Sequence, residues 1–162
     1  MAARDILYIV IIIFMFAIGF FVIHYVVNQT VNRMVTNPVI NSSASAVDAI
    51  NTSKTMANKM DYIIMGVFIA VILGLIITGW FIGGNPIFMF IYFIVIIIAI
   101  VLSMIFSNVW ATVSEMSIFG TTINYFPITN HILSHFALYI AVIGILGLIV
   151  MFAKPFVAQG AE

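Results

Sequence analysis

The sequence predicts an all-α integral membrane protein, with four transmembrane helices and a polar, partly helical loop between the first two. Three observations predict it. Hydrophobic residues make up 65% of the chain and charged residues only 6%, whereas a soluble domain carries roughly 25% charged residues to cover its surface. Four apolar runs each reach the ~20 residues that a helix rising ~1.5 Å per residue needs to cross a hydrocarbon core ~30 Å thick. Those runs are continuous rather than alternating, and an open sheet in lipid would leave backbone groups unpaired, so the Ile- and Val-rich segments are helices.

The opening "MAARD" is short and balanced, Arg4 against Asp5, and leads into "ILYIVIIIFMFAIGFFVIHYVV" at 6–27. That run exceeds a signal-peptide core of about 7–15 residues and has no small-residue cleavage motif after it, so it reads as a retained first span. The second span is 62–82, the third 87–106 and the fourth 132–152. "GGNP" at 83–86 joins the second and third: Gly ends one helix and Pro86 suits the first turn of the next. These two spans are therefore expected to form an antiparallel hairpin.

The first connection, 28–61, is polar. Asn37-Pro38 is expected to stop a helix emerging from the first span, because the residue before Pro avoids helical geometry. Ser42 or Ser43 can cap a new helix that carries Val47, Ile50, Ala57 and Met60 on one side and enters the second span. Two readings stand here, a helical stalk outside the membrane and a flexible Ser/Asn/Thr-rich loop. The loop also holds three glycosylation tripeptides, at Asn28, Asn41 and Asn51, with Asn28 too close to the bilayer for easy modification.

The third connection, 107–131, keeps Trp110, Met116, Ile118, Phe119, Ile123, Tyr125 and Phe126. It is expected to lie in the membrane interface, where Trp and Tyr keep a ring half dry and a polar atom wet. Pro127 with Thr129-Asn130 is expected to provide the stop and cap before the fourth helix. Arg4 and Lys154 fall on one side of the bilayer and Arg33, Lys54 and Lys59 on the other. The small excess places 28–61 on the side that favours basic loops, and glycosylation would require the reverse.

Helices in lipid associate through close packing, which small residues four apart permit. The second span offers Gly66, Ala70, Gly74 and Thr78, the third Ala99, Ser103 and Ser107, and the fourth Ala137, Ala141 and Gly144, with Gly147 following. These stripes are expected to pack helices tightly, within the chain or against copies of it.

Ionisable groups are scarce in the spans. Asp61 and Lys154 lie at helix ends, where they are expected to reach headgroups, and Glu115 falls in the third connection. No carboxylate, Lys or Arg crosses the middle of a span, which argues against proton relays, ion-coupled transport and voltage sensing. Five basic residues balance five acidic ones, so there is no electrostatic footprint for nucleic acid. Without Cys there are no disulfides or thiolates. Catalytic triads, phosphate loops and dinucleotide fingerprints are missing, and no enzyme and no cofactor are expected. The one constellation that raises a metal is His131 and His135 in "NHILSHFALY", one helical turn apart, with His24 in the same leaflet. The reading taken is that no metal is bound: His131 is an interfacial residue at the start of the fourth helix, and His135 packs with Ser134 against a neighbouring helix.

"SNVWATVSE", "FPITNHIL" and "GILGLIVMFAKP" within 107–155, together with "ITGWFIGGNPIFMFIYF" at 77–93, resemble small hydrophobic proteins of marine phages and other viruses. The overall build is similar to the multi-spanning virion membrane proteins of icosahedral viruses with an internal lipid membrane. That resemblance implies a structural protein in the virion or host membrane, present in many copies and contacting lipid and capsid proteins as a homo- or hetero-oligomer. It carries over no functional residue. The other readings are an accessory subunit of a respiratory or oxygenase-type membrane complex, and a holin-like pore.

Overall fold

The computed structural model describes residues 4–82 and 86–159. The elements are α1 (Arg4–Val35), α2 (Pro38–Asn41), α3 (Ala44–Ala57), α4 (Met60–Ile82), α5 (Pro86–Glu115), two short 3-10 turns (Ser117–Phe119 and Thr122–Tyr125), α6 (Pro127–Ser134) and α7 (Phe136–Gln159). Four of the described helical segments are long and apolar enough to cross a membrane. The chain is an integral membrane protein.

α1 runs 32 residues without a break, about 48 Å at ~1.5 Å per residue, which carries its last turns beyond the apolar segment. It stops where the sequence requires. Asn37 takes an extended conformation before Pro38, and its side chain accepts from the Val39 N–H at 3.0 Å. α2 turns the chain, and α3 returns antiparallel against α1, burying Ile50 and Ala57. The 28–61 connection is therefore a helical arm rather than a flexible loop. Ser43 stands at the N-cap of α3 without a side-chain cap bond, its hydroxyl meeting that of Ser45 instead.

In the membrane, α1 packs on α4 and α5, and α7 packs on the same two helices. Going round the bundle the order is α1, α4, α7, α5. The expected hairpin is corrected here: α4 and α5 are consecutive and antiparallel, but among the described residues they lie across the bundle from each other. α7 fills the place between them. Residues 83–85 of the turn lie outside the described residues.

Glycine on α7 explains this order. A Cβ built on Gly144 falls 2.7 Å from Ile96 Cγ2 of α5, and one on Gly147 collides with the Tyr92 hydroxyl of α5. On the α4 side, a Cβ on Gly79 meets the Gly147 carbonyl oxygen at 3.7 Å. Without side chains at 144 and 147, α7 closes on α5 and α4 together, the close approach that small residues allow in lipid. Ala99 and Ser103 of α5 are wholly buried, the Ser103 hydroxyl donating to the Ala99 carbonyl at 2.6 Å, and Ala137 and Ala141 are half-buried. The α4 stripe behaves differently. Gly66, Ala70 and Gly74 are exposed, and a Cβ at Gly66 or Gly74 meets nothing within 4 Å. The side chain of Thr78 lies outside the described residues.

Aromatic rings fill the bundle toward the arm end. Phe14 of α1 stacks on Phe106 of α5 with centroids 4.2 Å apart. Phe21 sits among Trp110, Phe119 and Phe126 at 5.0 to 5.4 Å, in edge-on or tilted contacts. One expectation is corrected by this cluster. α5 continues to Glu115, so 107–115 is helix rather than loop. Trp110, Phe119 and Phe126 point into the bundle, where their rings complete a core that α1 alone cannot cover.

Gly147→Ala is expected to destabilise the bundle by about 1–3 kcal/mol, the usual cost of forcing atoms into a packed core. Pairing it with Tyr92→Phe should recover part of the loss. Gly66→Ala is expected to be neutral or to stabilise by up to about 1 kcal/mol through helix propensity. Unfolding of the three variants in one detergent, followed by circular dichroism, measures the contrast.

Candidate functional site: a polar belt at the arm end of the bundle

Where the arm meets the membrane helices, buried polar groups gather on α1, α3, α4, α5 and α6. Asp61, in the first turn of α4, is 2% exposed. Its carboxylate accepts from the Ile128 N–H at 2.9 Å, the Thr129 N–H at 2.8 Å and the Thr129 hydroxyl at 2.6 Å. The sequence makes these donors available. Pro127 at the start of α6 has no N–H, and Phe126 supplies no side-chain cap. The carboxylate thus lies at two helix N-termini at once, its own and that of α6, where partial positive charge favours an anion. Two expectations are corrected: Asp61 does not reach headgroups, and Thr129-Asn130 do not cap the fourth helix. α6 has already begun at Pro127, and its cap comes from another helix.

His24 on α1 is wholly buried. Its Nδ1 lies 3.1 Å from the Ala57 carbonyl oxygen and its Nε2 2.7 Å from the Asn28 amide nitrogen. A carbonyl only accepts, so Nδ1 carries the proton, and Nε2 accepts from Asn28. The imidazole thereby satisfies a carbonyl at the C-terminus of α3, one of those a helix end leaves unpaired. It also packs against Tyr125 and Phe126 at centroid distances of 4.9 and 5.1 Å. Beside it, Asn28 Oδ1 and Asn58 Oδ1 are buried without a protein hydrogen-bond partner. The glycosylation tripeptide at Asn28 places its amide nitrogen in this bond, whereas Asn41 and Asn51 are exposed on the arm.

α5 and α6 are tied by two more bonds. Trp110 Nε1 donates to Asn130 Oδ1 at 2.9 Å, and the Ser107 hydroxyl donates to the Ser134 carbonyl at 2.9 Å. The second bond stands beside a break in the helix, where His135 leaves helical geometry (φ −113°, ψ 26°) between α6 and α7. A carbonyl freed at a break needs a donor, and Ser107, expected only as a small packing residue, supplies it.

The three histidines do not converge. His131 and His135 are exposed and their rings meet in a tilted contact at 4.8 Å, with His135 Nδ1 donating to the His131 carbonyl at 3.0 Å. Both ring nitrogens of His24 are already committed within the core. Among the described residues no group of three or more His, Cys, Asp or Glu could hold a metal ion. The sequence missed Asp61 as a cap because its partners lie 67 and 68 residues away.

Comparison with known protein families, curated proteins and solved structures found no match.

Asp61→Ala leaves three donors unpaired in a dry site and is expected to cost about 3–5 kcal/mol, as removal of one partner of a buried charged contact does. Thr129→Val keeps the backbone donors and should cost about 1 kcal/mol. Thermal unfolding in detergent, with hydrogen exchange at the amides of 128 and 129, separates the two.

Proposed function

We propose that this chain is a structural membrane protein of a virus particle with an internal lipid membrane. Its four-helix bundle sits in the bilayer, and its helical arm reaches the protein shell. The observation that carries the reading is the arm. α1 continues unbroken out of the apolar region, α3 folds back along it, and the His24–Ala57 bond fixes the pair at the membrane end. A rigid polar hairpin on an apolar bundle is what linking a membrane to a protein layer requires. The arm carries Arg33, Lys54 and Lys59 against Asp48, and beside Arg33 a shallow concavity of about 270 Å³ runs along Tyr25, Val26, Gln29 and Thr30. Capsid proteins are the partners this reading implies, and no catalytic role is included in it.

A second reading is an accessory subunit of a multi-protein membrane complex. It is favoured by the exposed His131–His135 pair just before the fourth apolar span, which offers polar groups to a neighbouring subunit.

Mass spectrometry of native particles or membranes decides between them. The expected result is a chain present in many copies, in fixed proportion to capsid protein. Recovery of single copies beside metal-bearing subunits would replace the first reading with the second. Arg33→Glu is expected to leave membrane insertion unchanged and reduce cross-linking of the arm to the shell.

A further inference from the structure

A groove of about 510 Å³ runs between α4 and the fourth span, from Met65 to Ile72 on one wall and from Pro127 to Tyr139 on the other. We propose that it seats one acyl chain of an anionic bilayer phospholipid, whose phosphate accepts hydrogen bonds from the His131 and His135 imidazoles. The proposal rests on the membrane placement of the bundle and not on the viral reading.

Depth is the first argument. Asp61 fixes the start of α6 level with the first turn of α4, which is the headgroup end of that span. From there the groove descends along α4 for two helical turns, about 10 Å at ~1.5 Å per residue. A chain entering from the headgroups and lying against the protein follows this path. Chemistry of the walls is the second argument. Apart from His131 and the Tyr139 hydroxyl, the lining is aliphatic side chains, the Met65 thioether, a Phe ring and Pro, so an apolar occupant is required. Met65 and Ile69 are among the exposed residues of α4, so the groove opens to the bilayer.

The third argument is the imidazole pair. His135 uses Nδ1 on the His131 carbonyl, which leaves Nε2 for another partner, and the His131 ring lies tilted against His135 with no hydrogen bond among the described residues. An imidazole offers an N–H donor whether neutral or charged. Two of them one turn apart, exposed just before the fourth apolar span begins at Phe136, suit a phosphate at that level. Charge agrees with this. The groove lining contains no carboxylate, and the Asp61 charge behind it is covered by three donors. Lys59, exposed two residues before Asp61, adds a cation at the same end.

The test uses the full chain in nanodiscs made from equal parts of phosphatidylcholine and phosphatidylglycerol. After transfer to detergent and washing, the retained lipid is counted by mass spectrometry. The wild type is expected to retain phosphatidylglycerol in preference to phosphatidylcholine. His131→Ala/His135→Ala should lower that retention about tenfold, as loss of hydrogen bonds to a charged group implies. Ile69→Trp, which fills the groove from an exposed position, should remove both lipids while the circular-dichroism melt stays unchanged. The proposal is overturned by equal retention of the two lipids in the wild type, or by unchanged retention in either variant. It is also overturned if free fatty acid is the retained species, or if photo-cross-linking from position 69 captures a second copy of the chain instead of lipid.

Discussion

A buried carboxylate with three donors holds the arm end of this protein together. Asp61 belongs to α4, yet its hydrogen bonds all go to the start of α6. An unpaired charge at such a place would be among the most costly features a membrane protein can carry. Two helix N-termini, with two backbone N–H donors and one hydroxyl, remove that cost together. The consequence is positional: the fourth span must begin level with the second. The groove between them, the break at His135 and the tilted contact of His131 with His135 all take their places from that register.

The other end of the bundle is set by absence of side chains. Gly144 and Gly147 let α7 close on Ile96 and Tyr92 of α5, while Gly79 brings α4 to the same place. In water the hydrophobic effect would collapse the helices without such detail. In lipid the tails are as apolar as the side chains, so contact geometry decides which helices become neighbours. α7 can approach both α4 and α5 more closely than they approach each other, and the consecutive pair is separated. Polar register at one end and glycine contact at the other define a single arrangement of four helices that are otherwise apolar on all sides.

His24 shows how the arm is joined to this frame. One imidazole between the end of α3 and Asn28 of α1 ties the polar helix α3 to the emerging end of α1 as a fixed hairpin. Few apolar contacts would otherwise hold α3, which buries only Ile50 and Ala57. His24, which the sequence offered only as a further ligand beside His131 and His135, is a structural donor and acceptor in the core, whereas that pair is exposed.

The sequence by itself determined the all-α membrane class, the four spans and the stop at Asn37-Pro38, while it left 42–59 open between a helix and a flexible loop. Each depends on local chemistry: run length, backbone restriction before Pro, and unpaired polar groups in lipid. It also marked Gly144, Ala99 and Ser103 as small residues at packing positions. Only the tertiary structure decided which small-residue stripe faces the chain and which faces outward, that α4 and α5 sit apart, that Trp110 is buried, and that Asp61 caps a helix 67 residues away. Those outcomes depend on partners distant in sequence, and every side of these spans is apolar. A hydrophobic pattern with no polar face carries no record of which neighbour each side will meet.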